Sequence, residues 1–263
     1  MGSAIAERIK SVYPVSVFDQ DNAKTRNLSG IKVTENAIDL VKEANIVILA
    51  VKPQDFVAVL DEIKDHAKDK LIISIAAGIT TNYLEKILGR AKIIRAMPNF
   101  PAKIGKGVIC LCKGRFANAN ELGLAQQLFK ALGRPLILNE DMMNAATAIS
   151  GSGPGYYYEK VERSNIDYNN IPGNFNQRFE EELAEAARGL AFDAGQASIL
   201  ASATTAGSLA LLKATRLTPA ELKKQITSKK GTTEAGLEVL QKGGSLLEAA
   251  KAAAKRAEEL ARS

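Results

Sequence analysis

The first half of the chain alternates short apolar runs with amphipathic segments. The runs are Val15–Phe18, Asn45–Val51, Leu71–Ala77, Lys92–Met97, Gly107–Cys112 and Pro135–Leu138. Several are unbroken and rich in Ile and Val, as strands covered on both faces are. Helical periodicity fills the gaps at Ala37–Ala44, Gln54–Lys64, Thr81–Leu88 and Asn120–Leu132. Strand and helix in alternation predict an α/β fold with a doubly wound, mostly parallel sheet. Ligands of such sheets bind outside the carboxyl ends of the strands. That rule places Ala50-Val-Lys-Pro53, Ala76-Ala-Gly78 and Met97-Pro-Asn99 at the mouth.

From about Asp141 the pattern changes. β-type runs cease, and Ala, Leu, Glu and Lys dominate. Helices are expected at Glu180–Ala194, Ala197–Ala214, Pro219–Gln225, Thr233–Gln241 and Ser245–Leu260. Ser164–Gln177, rich in Asn and holding a Pro-Gly pair, reads as a loop. The expected division is a dinucleotide-binding domain over 1–140 and an all-helical domain over 141–263.

Composition narrows the chemistry. The 263 residues are 46% hydrophobic and 24% charged, an ordinary globular balance. The net charge of +6 is mild and spread along the chain, with no basic stripe carrying aromatics, so nucleic acid is not an expected partner. Cys110 and Cys112 would share one face of a strand, too close for a routine disulfide, and read as buried thiols. The only histidine, His66, lies in a charged segment and reads as solvated, which excludes His-based triads and His-rich metal centres. No apolar run approaches the length of a membrane span and no signal peptide opens the chain; the expected location is the cytoplasm.

The segment Ile226-Thr-Ser-Lys-Lys-Gly-Thr-Thr-Glu-Ala-Gly-Leu237 places two lysines, a glycine and two threonines in a turn before an apolar periodicity. Helix-start amides favour an anion, lysines add positive charge and threonine hydroxyls bond polar atoms. Such a turn suits a small carboxylate; it also suits an ordinary capped helix start. At the other end of the chain, Met1–Ile9 looks like the helix that follows a Gly-rich turn. Only Gly2 of a possible G-x-G-x-x-G and no strand before it are seen. Asp19 follows a short strand, where an acidic residue commonly accepts from a ribose, while Lys24 and Arg26 are placed to meet a 2′-phosphate.

Five blocks occur in order: Met1-Gly-Ser-Ala-Ile-Ala6, Ala50-Val-Lys-Pro-Gln54, Arg95-Ala-Met-Pro-Asn-Phe-Pro-Ala102, Ser150-Gly-Ser-Gly-Pro154 and Thr227–Leu237. Together they resemble the signature blocks of the pyrroline-5-carboxylate reductase family over nearly the whole chain. The resemblance implies a Rossmann-type domain followed by a helical domain that dimerises, with larger rings of dimers in some members. It implies hydride transfer from NADPH or NADH to the C=N carbon of 1-pyrroline-5-carboxylate, giving L-proline. By position, Gly2 and Asp19 would belong to the cofactor site. Val51, Lys52, Pro53, Met97, Pro98 and Asn99 would line its nicotinamide side. Ser228, Gly231 and Thr232 would hold the substrate carboxylate, and Thr233 would bond the ring nitrogen.

Departures from the family pattern are the absent first strand, the Asn-rich segment (an apparent insertion), and Phe100, Gly155 and Lys230, where Thr, Ala and Gly are usual. Two rivals remain on the sequence. One is a 3-hydroxyacid-type dehydrogenase, which would need a lysine such as Lys160. The other is a non-catalytic binding or regulatory homologue lacking the phosphate loop.

Overall fold

The computed structural model describes residues 1–52 and 55–262. Five strands form the main sheet in sequence order: β3 (Ile46–Leu49), β4 (Leu71–Ser74), β5 (Lys92–Pro98), β6 (Gly107–Lys113) and β7 (Gly133–Ile137). A separate two-stranded parallel sheet joins β1 (Ser16–Val17) to β2 (Lys32–Val33). Val15 and Phe18, which flank β1, pack into the same apolar clusters as the side chains of β3.

Alternation along the strands explains the two layers of helices. Ile73 of β4 and Ile94 of β5 face one cluster with Ile5 and Ile9 of α1 (Gly2–Ile9) and Leu128 and Phe129 of α5 (Ala119–Phe129). Ile72 and Ile93, one residue earlier in each strand, face the other. There they meet Val41 of α2 (Ala37–Glu43), Phe56 and Leu60 of α3 (Phe56–Ile63) and Leu84 of α4 (Thr81–Leu88). Successive strand side chains point to opposite faces, so a continuous apolar run is what a doubly covered sheet needs. Each Ile or Leu so buried contributes about 1.5–3 kcal/mol.

The main sheet is mostly parallel, as expected, with one exception. β5 and β6 pair antiparallel, Met97 opposite Cys110. The link between them is only the short 3-10 segment Phe100–Ile104 with its flanks, too short for a parallel crossover. The strands at 45–51 and 71–77 also prove shorter than the apolar runs that predicted them, because their ends turn into the loops of the sheet mouth.

After β7 the described chain is helical. α6 (Met143–Ala146) runs through a π-turn, Thr147–Gly151, directly into α7 (Gly153–Arg163). The remaining helices are α8 (Gly173–Arg188), α9 (Ala194–Thr215), α10 (Pro219–Ile226), α11 (Thr232–Gln241) and α12 (Leu246–Arg262). Reciprocal capping boxes start α9 (Asp193 with Gln196) and α10 (Thr218 with Glu221). This unit packs on one face of β6: Val108, Cys110 and Cys112 share its core, while Ile109 and Leu111 belong to the sheet's own.

Sequence periodicity missed α7, because Tyr156, Tyr157 and Tyr158 are all buried and break the expected one-sided pattern. The loop expected over Ser164–Gln177 ends earlier, at Pro172. Pro172 is the N-cap of α8, and Phe175 and Phe179 pack edge-on against Tyr157, which draws residues 173–177 into helix. α9 also corrects the expectation about apolar length. It has 22 residues and a window of mean hydropathy 1.2, long and apolar enough to cross a membrane, though half of that window is buried inside the fold.

Candidate active site

The carboxyl end of β5 delivers Met97, Pro98 and Asn99 to the joint between the two units. Pro98 and Asn99 are buried and Met97 is half-buried. Asn99 accepts from the Val108 amide through Oδ1 at 3.0 Å, while its buried Nδ2 has no protein partner. An unpaired buried amide donor carries a cost unless a ligand or water meets it.

Met97 adjoins the π-turn: a methyl at Gly151 would lie 3.4 Å from its terminal carbon. The next residue, Ser152, reaches α11. Thr233 Oγ1 donates to Ser152 Oγ at 3.2 Å, and Ser152 Oγ donates to Thr232 Oγ1 at 3.1 Å. Thr233 is buried, and it occupies the second position of the helix after Gly231 as N-cap. The structure therefore links Met97, through Gly151 and Ser152, to Thr232 and Thr233.

The bend before α11 joins a helix start to two exposed lysines. The Gly231 amide closes it on the Ser228 carbonyl at 2.9 Å, and Lys230 takes φ +57°. Ser228, Lys229 and Lys230 are exposed. The Lys230 amide already donates to a carboxylate, that of Glu234, at 2.6 Å. Arg256 of α12 donates to the Lys230 carbonyl at 2.8 Å and fixes the bend from behind.

Of the other expected cofactor residues, Gly2, Val51 and Lys52 lie beside the end of β3 and Asp19 follows β1. Gly2 comes close to the end of β3, since a Cβ there would sit 3.0 Å from that of Ala50. Val51 packs with Phe18 against the β3 side of the sheet, and Lys52 is exposed. Pro53 lies outside the described residues. Asp19 accepts from Lys24 Nζ at 3.1 Å, and this hydrogen bond raises the lysine pKa. The loop after β4 is covered by the far end of α12: a Cβ at Gly78 would sit 3.1 Å from the Leu260 carbonyl oxygen.

Lys160, the lysine a hydroxyacid dehydrogenase would need, is instead paired with Glu182. It lines a separate cavity of about 340 Å³ with Arg163, Phe175 and Arg178. The two thiols are buried, and desolvation pushes both up to about 12, so they are protonated and inert. Among the described residues, no group of three or more His, Cys, Asp or Glu could hold a metal ion.

Sequence reasoning passed over two residues here. Ser152 stood inside a quoted block with no role, since a serine before a helix reads as its cap. Glu234 reads as an ordinary first-turn acid. Only the fold brings both to the bend.

Comparison with known proteins settles the family. Pyrroline-5-carboxylate reductase of Arabidopsis thaliana is 34% identical over 238 residues, 89% of this chain and 79% of the relative. That of Synechocystis is 32% identical over 262 residues, 97% of this chain and 91% of the relative. The chain belongs to the pyrroline-5-carboxylate reductase family. The family pattern for pyrroline-5-carboxylate reductase dimerisation matches residues 174–260, and that for NADP oxidoreductase, coenzyme F420-dependent, matches residues 1–78. Among solved structures, the Coxiella burnetii reductase aligns at TM-score 0.64 and 28% identity over 100% of this chain and 95% of that one. The Plasmodium falciparum reductase, solved with NADP bound, aligns at TM-score 0.63 and 26% identity over 99% and 94%.

Proposed function

We propose that this member reduces 1-pyrroline-5-carboxylate to L-proline, the last step of L-proline biosynthesis, with NADPH or NADH as reductant. The observation that carries the reading is the Thr233 hydroxyl. It is buried at the start of a helix, beside an exposed lysine-flanked bend, and connected through Ser152 to the end of β5. A cyclic imino acid offers what this arrangement complements: a carboxylate for the bend and a ring nitrogen for the hydroxyl.

In this reading the domains divide near residue 140. Gly2, Asp19, Val51, Lys52, Pro53, Met97, Pro98 and Asn99 hold the nucleotide, with the Asn99 Nδ2 donor turned to good use. Bound NAD(P)H supplies the hydride. Ser228, Gly231 and Thr232 hold the carboxylate, displacing or sharing the amide that Glu234 occupies. Thr233 bonds the ring nitrogen. An iminium carbon is already electrophilic, so the protein's contribution is orientation, worth several kcal/mol (about 7–11 at best). No histidine is required. The chain works as a homodimer or a ring of dimers in the cytoplasm.

The test is oxidation of the reduced nicotinamide, followed by its absorbance, with 1-pyrroline-5-carboxylate and each cofactor in turn. Turnover with at least one is expected. No oxidation of either, with the purified full chain folded, would overturn the reading. A fluorescence titration with NADPH then tells an inactive cofactor binder from a chain that binds none.

A further inference from the structure

We infer that Ser152 is a positioning residue for the proposed imine reduction: its hydroxyl fixes Thr233. The inference rests on the function proposed above. A serine in the N-cap position normally turns its oxygen onto its own helix. Ser152 does not; it makes no side-chain cap to α7. The reason is the π-turn. Thr147–Gly151 runs into α7 without a break, so Ser152 itself has helical φ −88° and ψ −22°. Its amide is used by the Thr147 carbonyl at 2.9 Å, and its carbonyl accepts from the Tyr156 amide at 3.2 Å. With backbone groups engaged and capping geometry lost, the hydroxyl is released to bond across to α11, 81 residues away in sequence at Thr233. Single π-turns inside helices often mark functional sites.

Thr233 is held at two points. Its hydroxyl donates to Ser152 Oγ. Its methyl lies in the notch left by Gly155, where a Cβ would be only 2.6 Å from Thr233 Cγ2. A β-branched side chain with both branches fixed has one χ1 left. Behind the pair, the buried Tyr156 ring closes against Gly236, and its hydroxyl also hydrogen-bonds Ser152. The hydroxyl chain runs Thr233 to Ser152 to Thr232. The Thr233 hydrogen is spent on Ser152, and its oxygen presents a lone pair. That lone pair suits the N–H of a protonated imine. Hydride adds at carbon, the C=N π pair moves to nitrogen, the N–H bond persists, and the amine takes its second proton from water.

The experiment is a double-mutant cycle on the full chain, read as kcat and KM with thermal midpoints. Ser152→Ala is expected to lower kcat about tenfold, with little change in the cofactor KM, by loosening Thr233. Thr233→Val is expected to lower it further. In kcat the double variant is expected to match Thr233→Val alone, because the Ser152–Thr233 bond is already lost there; the second bond of Ser152, to Thr232, is read in the substrate KM. Effects that multiply in the double variant would overturn the inference, as would an unchanged kcat in Ser152→Ala. If Ser152→Ala does not fold, the same cycle is run with Ser152→Cys, which keeps volume but donates weakly; the same two outcomes decide. An inactive unmodified chain would instead defeat the function reading, and so the two failures are told apart.

Discussion

Around the sheet, the interior is aliphatic: Ile72, Ile73, Ile93, Ile94, Leu60 and Ile109 are all closed to solvent. In the helical half, Tyr156, Tyr157 and Tyr158 share the interior with the hydroxyls of Ser150, Ser152, Thr204, Thr205, Ser208 and Thr233. Three of these hydroxyls bond a carbonyl four residues back in their own helix: Ser150 to Ala146, Thr205 to Ala201 and Ser208 to Thr204. Ser152 and Thr233 are different, since they bond each other across helices. The comparison separates two uses of burial. The sheet half buries carbon to build a platform, whereas the helical half buries oxygen and aims part of it at the joint.

The sharpest way to break this contrast is Thr233→Val, which keeps shape and removes one hydroxyl. Turnover should fall on the order of 100-fold while the thermal midpoint stays near that of the parent. Unchanged steady-state rates would remove Thr233 from the chemistry and reduce the buried oxygens to packing.

A second prediction concerns Arg95, the largest buried charged side chain among the described residues of the sheet half. Arg95 is 2% exposed, and burial lowers its pKa from the ordinary guanidinium value. Glu140 faces it at 3.6 Å and also accepts from the Thr81 amide at 2.7 Å. Asn144 of α6 accepts from Arg95 Nη2 at 3.2 Å, so the group ties the sheet to the helical half. Glu140→Ala should cost about 2 kcal/mol in denaturant unfolding, because it leaves the guanidinium under-paired. A change within about 0.5 kcal/mol would show that the joint does not depend on it.

Alkaline titration gives a third effect, confined to high pH. Folded Cys110 and Cys112 hold their protons up to about 12, against 9.0 for the free thiol. Between those values the folded state binds more protons than the unfolded state, so stability falls as pH rises through that window. The slope is at most about 1.4 kcal/mol per pH unit for each thiol. Cys110→Ala should flatten the fall, and neither thiol should alkylate in the native protein at pH 8, about the pKa range of free thiols. Rapid alkylation without unfolding would contradict the buried state.

The smallest effect is at the bend. A left-handed lysine costs about 1 kcal/mol that a glycine does not. Lys230→Gly, the residue usual in the resemblance, should raise stability by roughly 0.5–1 kcal/mol, partly offset by unfolded-state entropy. Destabilisation would mean that the Lys230 side chain holds the bend by contacts of its own.

Much of this was legible in the chain. Periodicity placed the helix at Thr81–Leu88 without error and the five strands of the main sheet within a few residues, since aliphatic runs between turn residues have few other uses; it missed β2, whose Lys32 and Val33 are exposed. The block Thr227–Leu237 disclosed the bend, because Gly, Lys and Thr together serve few purposes. The Tyr156–Tyr158 helix was not legible, because burial on every side erases the one-faced pattern; the start of α8 at Gly173 was not, because its exposed Gly and Asn residues read as loop until Phe175 meets Tyr157. Nor was the role of Ser152, whose partners lie about eighty residues away in sequence.

What the sequence alone determined was local: where apolar runs make strands, where caps begin helices, and which residues form the lysine-flanked bend. Those follow from backbone geometry and side-chain chemistry within a few residues. Only the tertiary structure decided that β6 would run antiparallel and that a π-turn would free a serine to grip a threonine on another helix. Such outcomes depend on which surfaces meet, and that is settled by burial of the whole chain and not by any one segment.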